Sequence, residues 1–245
     1  MPQDDKIKTK ENVSLKDIRH IFCDVDGVLT DATKTYNAAG SLVSKSFSDL
    51  DSMGFSLARR LTIRFAANPS RNIVVPRINL VSGDNRVNEE FARVMGLPFY
   101  YTRTDSKIDI CMQVLEREYK DITNSEVIFI GNDINDLECL RSFVSFCPSD
   151  ALPYIQKVCD VVTEAAGGRG VFREIIDSVL FEKGVTLDDY LCCLTPYRNY
   201  PDKTIHEIRE HLDAKRNGSC ETVSREVQYT PGNLFCESRQ KTSSD

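Results

Sequence analysis

Short apolar runs alternate along the chain with longer segments in which apolar residues recur every three or four positions. The short runs predict buried strands, which we place at residues 18–23, 78–81, 98–101, 127–130, 143–147 and 160–162. The periodic segments predict helices, at residues 53–64, 87–95, 108–119 and 171–181 and from about residue 136. Strands that alternate with helices are typical of a parallel, doubly wound sheet, so we predict an α/β fold of the Rossmann-like type.

Two stretches interrupt this alternation, and both ends of the chain differ from the middle. Residues 32–47 carry β-type residues around an Asn-Ala-Ala-Gly turn, which predicts a small hairpin, and residues 66–76 contain two prolines, which predicts a loop. We therefore divide the chain into a polar N-terminal extension (1–15), one α/β domain (16–184) and a C-terminal extension (185–245). The C-terminal extension is expected to include a charged helix at 204–216 and to be disordered beyond it.

Composition disfavours several classes of function. The formal net charge of -6 is opposite to that of a general nucleic-acid binder. The polar start has no apolar signal core, and no apolar run approaches the ~20 residues that span a bilayer. We therefore expect a cytoplasmic protein without a membrane or nucleic-acid partner. The nine cysteines form no CxxC pair, so we expect Cys23, Cys111, Cys147 and Cys159 to be reduced core residues rather than zinc ligands.

Two carboxylates follow the first predicted strand: Asp24 lies at its end, and Asp26 lies two positions later, before Gly27. A turn permitted by Gly27 can bring both carboxylates to one site. One of them can attack phosphorus while the other moves protons, and carboxylates this close need a cation to remain ionised together. The alternative is an acidic loop that caps a strand. We favour a catalytic site because three further motifs agree with it.

These three motifs are expected at the same edge of the sheet, since sites in doubly wound sheets lie beyond the carboxyl ends of the strands. Ser82 and Gly83 end the second strand, where a hydroxyl and backbone N–H groups can hold phosphate oxygens. Lys107 falls in the first turn of a helix, where a cation opposes the helix dipole unless it faces an anion. Residues 131–136, Gly-Asn-Asp-Ile-Asn-Asp, offer the oxygen ligands that suit Mg²⁺.

In this order, the motifs resemble those of the haloacid dehalogenase superfamily over residues 18–182. Within it, the chain resembles the capless subgroup of 3-deoxy-D-manno-octulosonate 8-phosphate phosphatases, and also 2-keto-3-deoxynononate 9-phosphate phosphatases and the C-terminal domain of CMP-sialic acid synthetases. The resemblance rests on Asp-Val-Asp-Gly-Val-Leu-Thr-Asp (24–31), Asp-Ser-Met-Gly (51–54) and Gly-Gly-Arg-Gly-Val-Phe-Arg-Glu (167–174). It implies no large cap, and a hairpin flap that covers a neighbouring subunit's site in a homotetramer.

The resemblance also implies a Mg²⁺-dependent phosphatase that acts on a phosphorylated sugar acid. Asp24 would be the nucleophile, and Asp26 would be the general acid and then the general base. The groups that would hold the phosphoryl group are Ser82, Gly83 and Lys107. The ligands of Mg²⁺ would be Asp24, Asp26, Asn132 and Asp133, with Asp136 behind them. The residues that would contact the sugar acid are Asp84, Arg169 and Arg173.

Among the positions that depart from the pattern of that subgroup, two bear directly on the chemistry. Asn132 stands where the family has a metal-binding aspartate, and an amide oxygen binds Mg²⁺ less strongly than a carboxylate, although Asp133 or Asp136 can compensate. Asp84 stands where the octulosonate phosphatases carry arginine, and it resembles the acidic residue of the nononate type. We therefore expect the 9-phosphate of a nine-carbon 3-deoxy-2-keto acid to be preferred over the eight-carbon 8-phosphate.

Two other functions remain open. The chain resembles synthetase domains of which some have lost their catalytic residues, so it can be a weak or inactive oligomerisation module. Asn132 favours this reading, whereas the intact Asp24 and Asp26 oppose it. A phosphorelay receiver also arranges acidic residues, a hydroxyl and a lysine around Mg²⁺. We rank it third, because here a second acidic motif follows Lys107.

Overall fold

The computed structural model describes residues 13–84 and 86–194. The strands are β1 His20–Asp24, β2 Thr35–Tyr36, β3 Leu42–Ser44, β4 Arg77–Ser82, β5 Phe99–Tyr101, β6 Val127–Ile130, β7 Val144–Cys147 and β8 Val161–Val162. The helices are α1 Asp49–Ala67, α2 Arg86–Met95, α3 Lys107–Glu118, α4 Leu137–Ser142, α5 Pro153–Val158, α6 Val171–Glu182 and α7 Leu187–Leu194. Short 3₁₀ turns lie at Pro69–Arg71, Asn124–Glu126 and Ile134–Asp136.

Six strands form one parallel sheet in the order β5-β4-β1-β6-β7-β8. The chain builds β1, β4 and β5 in one direction and then returns to the other side of β1 for β6, β7 and β8. The direction therefore reverses beside β1, which makes a crevice at the carboxyl ends of the central strands. This arrangement confirms the predicted α/β, doubly wound fold.

Both faces of the sheet are covered by helices, and the core divides into two clusters. Ile21 and Cys23 of β1 lie in the cluster that includes α1 and α6, whereas Phe22 lies in the cluster that includes α3 and α4. This alternation follows from the two-residue repeat of a strand. Because both faces are buried, the strands are continuous apolar runs, and this is why they could be predicted.

A small antiparallel hairpin, β2–β3, is inserted between β1 and α1, as predicted. Gly40 at its turn has a φ of +74°, and the Asn37 side chain accepts hydrogen bonds from the N–H groups of Ala39 and Ser41 at 3.0 and 2.9 Å. Apart from this hairpin, the chain goes directly from the β1 loop to α1 (Asp49–Ala67). The absence of a large cap in this interval agrees with the expected fold class.

Two findings add to the predicted elements. Helix α5 was not predicted: it has six residues and buries only Ile155, which is too little to produce a periodic pattern. Leu15 and Tyr190 belong to the same core cluster as Ile21, so the folded unit includes residues on both sides of the predicted limits at 16 and 184. The helix predicted at 204–216 lies outside the described residues.

The cysteines behave as the sequence predicted. Cys23, Cys111, Cys147 and Cys159 are all buried and carry free thiols. None of the helices in the described ranges combines the length with the apolar character needed to cross a bilayer.

Candidate active site

Three predicted motifs meet at the crevice beside β1. Asp24 is the last residue of β1, Ser82 is the last residue of the adjacent strand β4, and Gly131 follows β6 on the other side. Because neighbouring parallel strands end at one edge of the sheet, these three positions lie side by side. The structure therefore brings the predicted motifs together at the predicted place.

Lys107 forms ion pairs with two carboxylates of the site. Its Nζ lies 3.0 Å from Asp24 Oδ1 and 2.5 Å from Asp136 Oδ1, and all three side chains are buried. Burial and the nearby Asp136 carboxylate raise the pKa of Asp24 to about 7, an effect that Lys107 opposes. Burial alone would lower the pKa of Lys107, but Asp24 and Asp136 outweigh it and raise this pKa. The lysine thus remains an ammonium, with a third N–H available for a ligand.

Asp136 also shapes the loop that precedes it. Its Oδ2 accepts hydrogen bonds from the backbone N–H groups of Asn132 (2.9 Å) and Asp133 (3.2 Å). Gly131 has no space for a Cβ, which would lie 2.6 Å from Asp136 Cβ. The predicted position of Asp136, behind the other acidic loop residues, fits this arrangement. It connects the loop to Lys107.

Asn132 and Asp133 point to different surroundings. Asn132 Oδ1 is buried and has no hydrogen-bond partner, and the Asn132 side chain covers Gly27, where a Cβ would collide with it. Asp133 Oδ1 accepts hydrogen bonds from Ile134 N–H (2.6 Å) and from the Tyr154 hydroxyl (3.3 Å) at the exposed rim. Of these two predicted ligands, Asn132 therefore has the oxygen that lacks a partner.

No three side chains among His, Cys, Asp and Glu in the described ranges are grouped as they would be around a metal ion. The predicted ligand set, which is Asp24, Asp26, Asn132 and Asp133, does not require such a group, because Asp26 would contribute its backbone carbonyl and Asn132 its amide oxygen. A buried amide oxygen without a partner is the kind of group that a hard cation completes. The residues present therefore fit a divalent cation.

Asp26 is held by two residues that the sequence analysis missed. Lys45 Nζ lies 2.7 Å from Asp26 Oδ1 and 2.9 Å from Oδ2, and Asn88 Nδ2 donates to Oδ2 at 3.0 Å. Asn88 is a buried residue of α2 and lies on the same face of the helix as Phe91. A polar residue within an apolar stripe can indicate a functional contact, so the sequence did contain a signal for Asn88. Lys45 follows β3 and gave no such signal.

Ser82 accepts hydrogen bonds from two neighbouring groups. Its Oγ accepts hydrogen bonds from Asn88 Nδ2 at 2.9 Å and from the backbone N–H of Asp84 at 3.2 Å. Both lone pairs of the hydroxyl are then occupied, so its O–H is free to donate to a ligand. Gly83, beside it, faces open space, since an added Cβ would meet no atom within 4 Å. This geometry suits the predicted phosphate-holding role.

Asp84 is linked to the hairpin segment. Its Oδ2 accepts hydrogen bonds from Lys34 (3.1 Å) and Lys45 (3.0 Å). Partial burial would raise the pKa of Asp84, but the bonds from these two lysines outweigh it and lower the pKa. Asp84 is therefore an ionised carboxylate that already has two cationic partners.

The two predicted arginines lie in different places. Arg169 lines an open cavity of about 540 Å³ together with Asp31, Ser46 and Phe47. Arg173 instead pairs through Nε with Asp177 Oδ2 at 2.7 Å, and its guanidinium lies over the ring of Tyr190. The structure therefore places Arg169, and not the Arg173 guanidinium, at the cavity beside the motif that starts at Asp24.

The 167–170 loop is packed against the loop that follows Asp24. Gly168 N–H donates to Val28 O at 2.9 Å, and its φ of +68° together with the closeness of Asp31 N leaves no space for a side chain. Asp51 Oδ1 accepts from the backbone N–H of Arg173 at 3.0 Å, in the first turn of α6. Burial raises the pKa of Asp51 to about 6, against the effect of this bond. Asp51 thus fixes the start of α6 and the loop before it.

Comparison with known proteins agrees with this geometry. No family model matches the chain. The 3-deoxy-D-manno-octulosonate 8-phosphate phosphatase KdsC of Haemophilus influenzae is 28% identical over 171 residues, which cover 69% of this chain and 87% of that protein. The cobalt-bound structure of the Haemophilus influenzae phosphatase matches with a TM-score of 0.59 and 26% identity, over 73% of this chain and 99% of that one.

A second solved structure matches the fold. It is the Moraxella catarrhalis 3-deoxy-D-manno-octulosonate 8-phosphate phosphatase in complex with magnesium, phosphate and KDO, with a TM-score of 0.62 and 21% identity, over 74% of this chain and 96% of that one. The chain is therefore similar in sequence and in fold to 3-deoxy-D-manno-octulosonate 8-phosphate phosphatases, in agreement with the haloacid dehalogenase-type motifs at the edge of the sheet.

Proposed function

We propose that this chain is a divalent-metal-dependent phosphatase that forms a phospho-aspartate at Asp24 and acts on a phosphorylated sugar acid. The observation that carries the proposal is the buried arrangement of Asp24, Lys107 and Asp136 at the crevice. Beside it lies the Ser82 hydroxyl, which accepts two hydrogen bonds and can still donate one. Together they combine a nucleophile with two donors for phosphoryl oxygens. The names of the relatives support the substrate class.

Asp24, the Asp26 carbonyl and Asn132 would hold the metal, and Mg²⁺ is the ion that best suits these oxygen ligands. The unpartnered Asn132 Oδ1 supports this assignment. When bound, the ion supplies positive charge that offsets the negative charge of the phosphoryl oxygens. The titles of the related structures name magnesium in one case and cobalt in the other, which supports a divalent ion.

In the first step an oxygen of the Asp24 carboxylate attacks phosphorus, and the bond from phosphorus to the ester oxygen of the substrate breaks. Asp26, in its protonated form, gives its proton to that oxygen, which leaves as an alcohol. In the second step a water attacks phosphorus and gives a proton to the Asp26 carboxylate, while the bond from Asp24 to phosphorus breaks. Inorganic phosphate leaves. In both steps Ser82 and Lys107 donate to phosphoryl oxygens.

The leaving group carries a carboxylate and several hydroxyls. Arg169, at the open cavity, is the cation available for the carboxylate. The preference for a nine-carbon 9-phosphate stays a prediction, but the contacts of Asp84 change the role expected of this residue. Asp84 already accepts from Lys34 and Lys45, so any hydroxyl it binds has to join these lysines.

The test is a turnover assay of the purified full chain on the nine-carbon 9-phosphate, the eight-carbon 8-phosphate and unrelated phosphomonoesters, with Mg²⁺ and with a chelator. We expect turnover of sugar-acid phosphates that needs Mg²⁺, and a higher kcat/KM for the nine-carbon substrate. Asp24→Asn should remove nearly all turnover and the mass increase of the trapped phospho-enzyme while keeping the fold. Asp188→Asn, at an exposed aspartate in the first turn of α7, is the matched control and should retain activity.

Wild-type turnover by Asp24→Asn would contradict the covalent mechanism. A folded chain that binds Mg²⁺ and hydrolyses none of these esters would favour the oligomerisation module instead.

A further inference from the structure

The side chain of Lys45 is fully buried and surrounded by oxygen atoms, although Lys45 lies at the base of a surface hairpin. Its side chain has an exposed fraction of 0%. Its Nζ contacts four oxygens: Oδ1 and Oδ2 of Asp26 at 2.7 and 2.9 Å, Asp84 Oδ2 at 3.0 Å and Asn88 Oδ1 at 3.0 Å. Removing an ammonium from water costs several kcal/mol unless its partners compensate. The two carboxylates here provide that compensation.

Anchoring the hairpin does not by itself explain these contacts. Lys34, from the other side of the hairpin, already ties it to Asp84, with a side chain that remains 32% exposed. Lys45 goes deeper and reaches both oxygens of Asp26. Asn88 adds a donor to Asp26 Oδ2, and the only other side-chain donor to Asp26 among the described residues is Thr30, at 3.5 Å. Lys45 is thus the main restraint on the orientation of this carboxylate.

We propose that Lys45 is a positioning residue for proton transfer to the leaving group, and that it acts on Asp26 of its own chain. The inference rests on the proposed function and extends it. Asp26 lies on a turn next to Gly27, and its side chain is 23% exposed, so the backbone alone leaves it free to rotate. A proton donor works only within hydrogen-bond reach of the oxygen that it protonates, and a displacement of about 1 Å can cost ~100-fold in rate.

Action within one chain is a separate part of the proposal. The family resemblance assigns the hairpin to the site of a neighbouring subunit. In the structure, all four contacts of Lys45 join it to residues of the same chain. The base of the hairpin thus completes its own site, whatever the tip of the hairpin covers.

The test compares leaving groups in the first turnover. A sugar alcohol needs a proton as it leaves, whereas p-nitrophenolate leaves as a stable anion. In Lys45→Met we expect the first-turnover rate on the sugar-acid phosphate to fall at least tenfold at unchanged KM, and the p-nitrophenol burst to stay within about threefold of wild type. Asp26→Asn should show the same contrast. Lys120→Met, at an exposed lysine that follows α3, is the matched control and should leave both rates near the wild-type values.

Equal losses with both leaving groups in Lys45→Met would mean a merely structural role, and unchanged rates would mean no role; either result overturns the proposal. The thermal unfolding midpoint of each variant is measured alongside. If Lys45→Met does not fold, Lys45→Gln, which keeps a donor without the charge, goes through the same two assays and is judged by the same criteria.

A mixing experiment tests action within one chain. Asp24→Asn lacks the nucleophile but keeps Lys45, and Lys45→Met has the converse defect. If Lys45 acts on its own chain, co-expressed variants should be no more active than the sum of the two. Activity well above that sum would mean that Lys45 serves a neighbour. An active Asp24→Asn would refute the proposed function itself, whereas an inactive Asp24→Asn with an unaffected Lys45→Met would refute this inference alone.

Discussion

At the scale of single residues, the site is organised around two ammonium groups that each hold two carboxylates. Lys107 lies between Asp24 and Asp136, and Lys45 joins Asp26 to a second carboxylate. Removing one member of a buried ionic group leaves an uncompensated charge and costs about 3–5 kcal/mol. These charges are in place before any ligand arrives, which is the kind of preorganisation that accelerates phosphoryl transfer.

We predict that Asn132→Asp tightens the binding of Mg²⁺, on the order of tenfold, because a carboxylate replaces an amide as a ligand of a hard cation. Isothermal titration calorimetry of the protein without substrate measures this affinity independently of turnover. Asp133→Asn serves as the matched control and should leave the affinity unchanged, since Asp133 already accepts from Ile134 and Tyr154. A change with Asp133→Asn and none with Asn132→Asp would move the ligand role to Asp133.

The sequence was informative about residues whose position follows from a strand end or a helix start. Asp24 and Ser82 end buried strands, and Lys107 begins a helix, so their convergence follows from the geometry of a parallel sheet. Lys45 and Asn88 could not be assigned in this way. Their importance depends on their contacts with Asp26, which lies 19 positions from Lys45 and 62 positions from Asn88 in the sequence. Such contacts have no local pattern in the sequence.

At the scale of elements, β1 is both the centre of the sheet and the support of the nucleophile. It pairs with β4 and β6 along its length, and it begins at a fully buried histidine, His20. His20 Nδ1 lies 3.1 Å from the Tyr119 hydroxyl, and Nε2 has no hydrogen-bond partner. The first residue of the strand is thus an imidazole that the fold keeps neutral.

We predict that His20 makes stability depend on pH. Burial, with a smaller effect of Arg77, lowers the pKa of His20 to about 3 in the folded protein, against about 6.5 when unfolded. Below pH 6.5 the unfolded chain therefore binds a proton that the folded chain does not, so the contribution of neutral His20 is complete above about pH 6.5 and is lost as pH falls towards 3. At pH 5 the loss is about 2 kcal/mol.

Urea unfolding at pH 7.5 and pH 5 measures this effect. The decrease in the free energy of unfolding between these values should be smaller by about 2 kcal/mol in His20→Phe than in wild type. Tyr119→Phe removes the hydrogen-bond partner but keeps the buried imidazole, so it should retain the wild-type pH dependence. The same decrease in His20→Phe and in wild type would show that other groups dominate.

At the scale of the whole molecule, the hairpin exposes large apolar side chains. Tyr36 and Val43 are 57% and 59% exposed, although both are large and apolar. Without a large cap, the site also needs another means of excluding water. Both observations support the assembly that the family resemblance implies.

We predict a homotetramer, with a mass by light scattering of four times 27.7 kDa at assay concentrations. Tyr36→Ser combined with Val43→Ser should shift the mass towards smaller species, because it removes apolar surface that an interface would bury. Val74→Ser, at an equally exposed apolar residue outside the hairpin, is the matched control and should leave the mass unchanged. A monomer that is fully active would contradict the prediction.

Asn88 lies in one of two separate hydrogen-bonded groups that make up the site. Its amide joins the Ser82 hydroxyl to the Asp26 carboxylate and to Lys45, whereas Lys107 and its two carboxylates form a second bonded group. Within the described residues, no side-chain hydrogen bond connects the two groups. A substitution on the Asn88 side can therefore disturb the proton transfer through Asp26 while Asp24 keeps both of its charged neighbours, so that attack on phosphorus and protonation of the leaving group can be impaired separately.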